Sequence, residues 1–144
     1  MSKKVFIPIG LPGSGKSTYT AKLQVEAKIN GKSFAVHSTD NFFMVNGEYD
    51  FRPNRLELFH AKNFINYSDS LLDGIDIVVV DNTNLKKAFR DRYAKLAMAL
   101  GYEVLYPVIG GFSKEDCVLY AKRNTHGVPL DSILKMAAGV ELPK

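Results

Sequence analysis

The sequence predicts an α/β fold, a parallel sheet of about four strands sandwiched by helices. Three observations predict it. Short apolar runs alternate with helical stretches along nearly all 144 residues. One run, residues 75–80, reads as a strand buried on both faces of a parallel sheet. A glycine-rich turn at 10–17 joins the first apolar run to the first helical stretch.

The elements follow in order. Residues 5–9 read as strand 1 and 16–29 as the first helix, stopped by Asn30-Gly31-Lys32. Residues 34–38 are strand 2. The stretch 44–51 holds Asn46-Gly47 and reads as a turn or short hairpin. Pro53 opens a long helix, since proline suits a first helical turn. Leu56, Phe59, Phe64, Tyr67 and Leu71 keep its stripe to Asp73-Gly74. Residues 75–80 are strand 3. Residues 85–100 are amphipathic, with Phe89, Tyr93, Leu96 and Leu100 on one face and Gly101 at the end. Residues 103–109 are strand 4. Ser113 caps a helix to about residue 124, and Pro129 opens the last, to about 138. Repeats, low-complexity segments and linkers are absent, and the length predicts one domain over 1–144.

Composition fits a small soluble enzyme. Hydrophobic residues make up 46% and charged residues 24%, both ordinary globular values. A domain near this length buries about 68–70% of its unfolded surface and needs no staples. The single cysteine, Cys117, excludes an intramolecular disulfide and reads as packing. It points to a reducing compartment, with a cytoplasmic location as the expectation. No apolar run approaches the roughly 18 residues of a membrane span, and 5–9 is too short for a signal-peptide core. A net charge of +4 and a pI near 9.1 permit a polyanionic partner without requiring one. Nothing in the sequence sets an oligomeric state.

The turn at 10–17 reads Gly10-Leu11-Pro12-Gly13-Ser14-Gly15-Lys16-Ser17, a complete phosphate-binding loop, with Thr18 next in the helix. Its glycines let consecutive backbone N–H groups turn toward one anion. The helix start behind them adds unsatisfied donors and the positive dipole end. Lys16 would reach the β- and γ-phosphates of a nucleoside triphosphate, and the Ser17 hydroxyl would sit on Mg²⁺. The expected architecture is therefore a P-loop NTPase fold with strand order 2-3-1-4 and a helical lid.

Ligands of such sheets bind outside the carboxyl ends of the strands. The residues after each strand are 10–17, 39–41, 81–84 and 110–111. Asp40 follows strand 2, where a carboxylate can accept the proton of an acceptor hydroxyl; it could equally cap a turn. Asp81 ends strand 3, the Walker-B position, and could hold Mg²⁺ directly or through water. Asn82, Thr83 and Asn84 either orient substrate or cap the next helix. Arg123 lies just before Asn124-Thr125-His126-Gly127, between two late helices, where a lid arginine can stabilise transition-state charge. The plain alternative is a solvated helix end, where Lys122 and Arg123 favour the negative dipole. His126 could touch phosphate or merely fill a loop. His37 and His60 read as structural, and no His/Cys cluster has zinc spacing.

An ordered set of motifs resembles the polynucleotide 5′-hydroxyl kinase-like P-loop family. The set comprises residues 10–17, Ser38-Thr-Asp-Asn-Phe-Phe43, Tyr49-Asp-Phe51, Val80-Asp-Asn-Thr-Asn-Leu85, Tyr102-Glu-Val104 and Arg123-Asn-Thr-His-Gly-Val128. That family includes phage-type polynucleotide kinases and the kinase-like domain of a ubiquitin-ligase-binding animal protein. The resemblance implies transfer of the γ-phosphate of ATP to a 5′-hydroxyl end of DNA or RNA, with end repair as the setting. It implies Asp40 as base, Lys16 and Ser17 at phosphates and metal, Arg123 in the lid, and Asp81 and Asn82 near the acceptor. Three departures stand out. Phe43 occupies the position of the phage-type acceptor-phosphate arginine, leaving Arg52 or Arg55 as candidate substitutes. Residues 124–127 hold no second lid arginine. No Asp-x-Asp-x-Thr phosphatase signature is present, so only the kinase half is expected.

Two other classes stay open. A small-molecule kinase would have a closed acceptor pocket lined by Phe42, Phe43 and Tyr49. A polynucleotide kinase would have an open basic channel toward Asp40, drawing on Arg52, Arg55, Lys86, Lys87 and Arg90. The last three also read as a solvated helix face. A non-catalytic nucleotide-binding adaptor is disfavoured by the joint presence of Lys16, Ser17, Asp40 and Arg123. GTP remains open beside ATP.

Overall fold

The structure, a computed structural model, describes residues 2–143. Strand β1 (Lys4–Phe6) leads through the glycine-rich loop into α1 (Lys16–Ile29) and then β2 (Phe34–His37). A 3-10 turn, Thr39–Phe43, enters a small antiparallel hairpin of β3 (Met44–Val45) and β4 (Glu48–Tyr49). A second such turn, Pro53–Arg55, starts α2 (Leu56–Leu72). Then come β5 (Ile77–Val80), α3 (Lys87–Ala99), β6 (Glu103–Leu105), α4 (Lys114–Arg123) and α5 (Leu130–Ala138). The main sheet is parallel, in the order β2-β5-β1-β6. Counting main strands alone, this is the predicted 2-3-1-4.

Strand alternation puts helices on both faces. Val5, Ile7, Val78 and Val80 pack against Tyr67 and Leu71 of α2 and against Tyr93, Ala94 and Ala97 of α3. The alternate side chains, Phe6 and Ile77, lie beside Leu23 and Ala27 of α1. Past the strand ends, Ile9, Leu11 and Leu85 join Cys117 and Tyr120 of α4 and Ile133 of α5 in a second core. Cys117 is fully buried there, in packing contact. Among the described residues no helix is long and apolar enough to cross a membrane.

The strands predicted at 5–9 and 103–109 are regular only over Lys4–Phe6 and Glu103–Leu105. Pro8 and Pro107 explain the difference, since neither has an N–H to give a ladder. Pairing between the two strands continues regardless. Ile7 N–H donates to Leu105 O and Ile9 N–H to Pro107 O, each at 2.8 Å. On the other side, register assigns the missing Pro8 donor to Val80 O. The side-chain amide of Asn84 takes its place, donating to Val80 O at 2.9 Å and to Pro8 O at 2.7 Å.

The helix predicted over 85–100 begins at Lys87, because Asn84 is left-handed (φ 55°) and Lys86 is extended. Of the predicted face, Tyr93 is buried and Phe89 and Leu96 pack against the core, and only Leu100 departs. Arg90, Tyr93, Ala94 and Ala97 point inward, whereas Leu100 is 39% exposed. Arg90 is held inside by donating to Asn84 O at 2.9 Å and by lying over the Tyr106 ring. It is therefore not a residue of a basic channel. Lys86 and Lys87 are exposed but engaged, Lys86 with Gly139 O and Lys87 with Asp91.

Candidate active site

The glycine-rich loop is shaped by close approach. Gly13 has φ 81°, and a Cβ there would stand 2.6 Å from Tyr120 O of α4. Gly10 donates to Thr83 O at 3.1 Å, and a Cβ on it would meet Ser14 Oγ at 2.6 Å. Leu11, fully buried, anchors the loop in the second core, while Pro12 stays half-buried. Gly15, at φ 107°, is the N-cap of α1, and no side chain caps that helix. The first-turn N–H groups thus face outward as an anion cradle. Ser14 Oγ is buried with no partner among the described residues. Ser17 and Thr18 are exposed on the same turn.

Three charged side chains act on one another at the mouth of this cradle. Burial lowers the Lys16 ammonium below its ordinary range, opposed by Asp81 and then Asp40. Burial raises the Asp81 carboxyl, with Lys16 opposing and Asp40 adding to the rise. Lys16 thus shares one field with the carboxylates that follow β2 and β5, as the strand order was expected to produce.

Asp40 is placed by a chain of polar contacts. It sits in the 3-10 turn after β2. The preceding Thr39 N–H donates to Asn82 Oδ1 at 2.9 Å, which ties that turn to the end of β5. The Thr39 hydroxyl meets His60 Nδ1 at 2.9 Å, and His37 Nε2 meets Ser70 Oγ at 2.7 Å. Both histidines are thus structurally partnered. Asp40 itself meets two rings. Tyr49 Oη donates to Oδ1 at 3.3 Å, and His126 Nδ1 lies 3.4 Å from Oδ2. The Tyr49 and His126 rings stack at 4.0 Å with 7° between planes. Burial, then the Asp40 charge and hydrogen bond, push the Tyr49 phenol up to about 12.

Helix α4 and the loop after it cover the cradle from the far side. A reciprocal capping box between Ser113 and Asp116 starts the helix. Tyr120 Oη accepts from Gly111 N–H at 2.9 Å and donates to Gly111 O at 3.1 Å, fixing α4 to the turn after β6. Arg123 Nε donates to Gly13 O at 2.6 Å. Asn124 closes the following loop through Val128 N–H at 2.8 Å and Val128 O at 3.1 Å.

The structure therefore brings Lys16, Asp40, Asp81 and Arg123 around the loop, with Asn82 supporting Asp40. It does not bring Asn84, whose expected substrate role is corrected. That residue is 1% exposed and its amide donors are spent on backbone carbonyls. Thr83 contributes its backbone carbonyl to Gly10. Arg52 and Arg55 lie exposed at the rim of a shallow pocket of about 250 Å³ walled by Phe42, Phe43, Val45 and Phe59. Arg52 is paired with Asp50 at 2.9 Å. The two rings on Asp40 were missed as its partners. Tyr49 and His126 lie far apart in the sequence, where Tyr49 read as a candidate pocket wall and His126 as a candidate phosphate contact or loop filler.

Known proteins resemble this chain in sequence and in fold. A family model described as Chromatin associated protein KTI12 matches residues 5–126. NEDD4-binding protein 2 of Homo sapiens is 33% identical over 127 residues, 88% of this chain, and the chain spans 7% of that relative's length. Kti12 of Chaetomium thermophilum, solved in complex with ADP-AlF3, superimposes with a TM-score of 0.64 at 19% identity, covering 97% of this chain and 81% of that one. A chain of the Pnkp1/Rnl/Hen1 RNA repair complex gives a TM-score of 0.68 at 17% identity, covering 96% and 44%. At such identities the likeness shows a shared P-loop kinase fold. The expected P-loop kinase-like family is thus found, and the matches single out no phage-type polynucleotide kinase within it. Over residues 5–126, from the first strand through the phosphate-binding loop to the lid histidine, this chain belongs to the KTI12 family of P-loop kinase-like proteins.

Proposed function

We propose that residues 1–144 act as one kinase domain that transfers the γ-phosphate of ATP to a 5′-hydroxyl end of DNA or RNA. The observation that carries the reading is the placement of Asp40. It stands in the field of Lys16 at the mouth of an uncapped helix start, with Arg123 bound to Gly13 O of the same loop. The loop N–H groups and Lys16 grip the β- and γ-phosphates. Ser14 Oγ, buried without a partner, is a ready donor to the same anion. Ser17 Oγ and Asp81 would hold Mg²⁺. Their hard oxygen chemistry fits, since Mg²⁺ binds through one or two carboxylates plus substrate phosphates. When bound, Mg²⁺ neutralises charge on the phosphate oxygens. Asp40 takes the proton of the acceptor hydroxyl as its oxygen bonds to the γ-phosphorus. The bond to the bridging oxygen breaks, ADP leaves, and Arg123 steadies the charge on the transferring group.

Support for a polymer end as acceptor comes from the flank of Asp40. The pocket beside its turn is shallow, and Arg55 is exposed at the rim next to the Arg52–Asp50 pair. Phe42 and Phe43 wall an open pocket there, which supports a polymer end over an enclosed small molecule. The test is transfer of label from γ-labelled ATP to 5′-hydroxyl DNA and RNA oligonucleotides in Mg²⁺, with Asp40→Asn as control. Label on the oligonucleotide that vanishes in the variant is the expected result. ATP binding without transfer to any oligonucleotide overturns the acceptor assignment and favours an adaptor or a small-molecule kinase.

A further inference from the structure

We infer that Tyr49 and His126 are positioning residues that hold the Asp40 carboxylate from two sides, so that the lid orients the base. The inference rests on the proposed kinase reading and adds two residues that reading does not use. Asp40 is short and its side chain is 47% exposed. Left alone in water, such a carboxylate samples several rotamers. Here each oxygen has a ring beside it: Oδ1 accepts from the Tyr49 hydroxyl, and Oδ2 lies 3.4 Å from His126 Nδ1. Each carboxylate oxygen has about two lone-pair directions, so one on each remains for an acceptor hydroxyl.

The two holding groups come from different parts of the chain and are locked to each other. Tyr49 lies on β4, and its ring meets Phe43, the 1%-exposed end of the turn that carries Asp40. His126 lies in the loop between α4 and α5, three positions after Arg123. The 4.0 Å, 7° stack between the two rings is the contact that joins lid and hairpin directly across Asp40. Nearby Asp81 and Lys16 act on the same site electrostatically, but neither is hydrogen-bonded to Asp40. Because Arg123 and His126 share one short segment, a lid that sets Arg123 on the cradle also sets His126 on the base. Phosphate grip and base orientation are then one event. The Tyr49 phenol keeps its proton and remains a donor throughout the working pH range. Its 3.3 Å bond is long, as catalytic hydrogen bonds often are before substrate binds.

The test uses variants that keep an aromatic ring and remove the polar atom facing Asp40, Tyr49→Phe and His126→Phe, in the full chain. Each is expected to lower kcat by about 10- to 100-fold, the scale of a misplaced reacting group. The KM for ATP and the melting temperature should stay within twofold and a few degrees of wild type. A purely structural stack survives both changes, so unchanged kcat in both overturns the inference. Imidazole proton resonances of His126 in the ligand-free protein give a second, activity-independent readout. They should shift in Asp40→Asn and in Tyr49→Leu, and resonances indifferent to both overturn the contact itself. Should wild type phosphorylate no oligonucleotide, the end-kinase reading fails by that result alone. The same variants are then scored on slow ATP hydrolysis, in which water replaces the hydroxyl at Asp40. Loss there supports the positioning role, and normal hydrolysis overturns it.

Discussion

Asn84 shows what a single side chain does in this molecule. Proline at position 8 removes a donor from the strand that feeds the phosphate-binding loop, and Asn84 supplies an amide to the same carbonyls. Its left-handed backbone and its hydrogen bonds suit asparagine better than any branched residue. Asn84→Ala leaves buried Val80 O and Pro8 O without these donors. Each unsatisfied group costs about 1–3 kcal/mol, and the loss should appear as a lower midpoint in urea unfolding. An unchanged midpoint would show that backbone adjustment replaces the amide. Lys16 illustrates the opposite balance. Burial disfavours its charge, and the charges of Asp81 and Asp40 oppose that effect. Lys16→Ala should therefore weaken ATP binding and turnover while leaving the fold standing, which titration calorimetry and melting together can check.

At the scale of elements, α4 is the part on which the site depends most. It is started by a capping box, fixed by Tyr120 to Gly111, and pressed against Gly13 so closely that a Cβ there would meet Tyr120 O. Gly13→Ala must shift either the loop or α4. It also forces alanine into φ 81°, a left-handed cost of roughly 1–2 kcal/mol. Nucleotide affinity should fall with stability, and binding of normal strength would show that the loop can recoil. Ser113→Ala removes the cap at a typical cost of about 1 kcal/mol and should lower stability with little effect on ATP binding. Arg123→Ala should leave the helix intact and lower kcat by about 10³-fold, the lower end of arginine-finger precedent. A kcat change below threefold would return Arg123 to the role of a helix-end charge.

Over the whole molecule, two histidines link the fold to pH. Burial lowers both His37 and His60, with Arg92 adding to the fall at His60 and Asp40 opposing it. Both therefore bind a proton less readily folded than unfolded. Their contribution to stability is present above the unfolded value, about 6.5, and is lost as pH falls through the lowered folded values. Unfolding then takes up protons and stability drops with acidity. Melting temperatures measured from pH 8 to pH 5 should fall, and His37→Gln should flatten that slope. A slope unaffected by the substitution would remove His37 from the effect. The phenols of Tyr67 and Tyr93, also raised by burial, hold their protons across this range and do not contribute.

The order of strands and helices, the phosphate-binding loop, the hairpin turn at Asn46-Gly47 and the cap at Ser113 were all legible in the sequence. Each is a local matter of periodicity, of glycine or asparagine at positive φ, or of a side chain bonding within its own turn. Asp40 and Asp81 were legible as rim residues because strand ends of a parallel sheet converge. The rest depended on contacts between distant segments. Arg90 looked like a surface cation until the burial of α3 gave it Asn84 O and the Tyr106 ring. Asn84 looked like a ligand group until the missing N–H of Pro8, 76 positions away, claimed it. Tyr49 and His126 acquired a common role only when the hairpin and the lid met over Asp40. By itself the sequence determined which chain segments turn, pair and form the glycine-rich loop, because those choices are made within a few residues. The tertiary structure alone decided which polar groups remain free for chemistry, because burial and partnership belong to residues far apart in the chain.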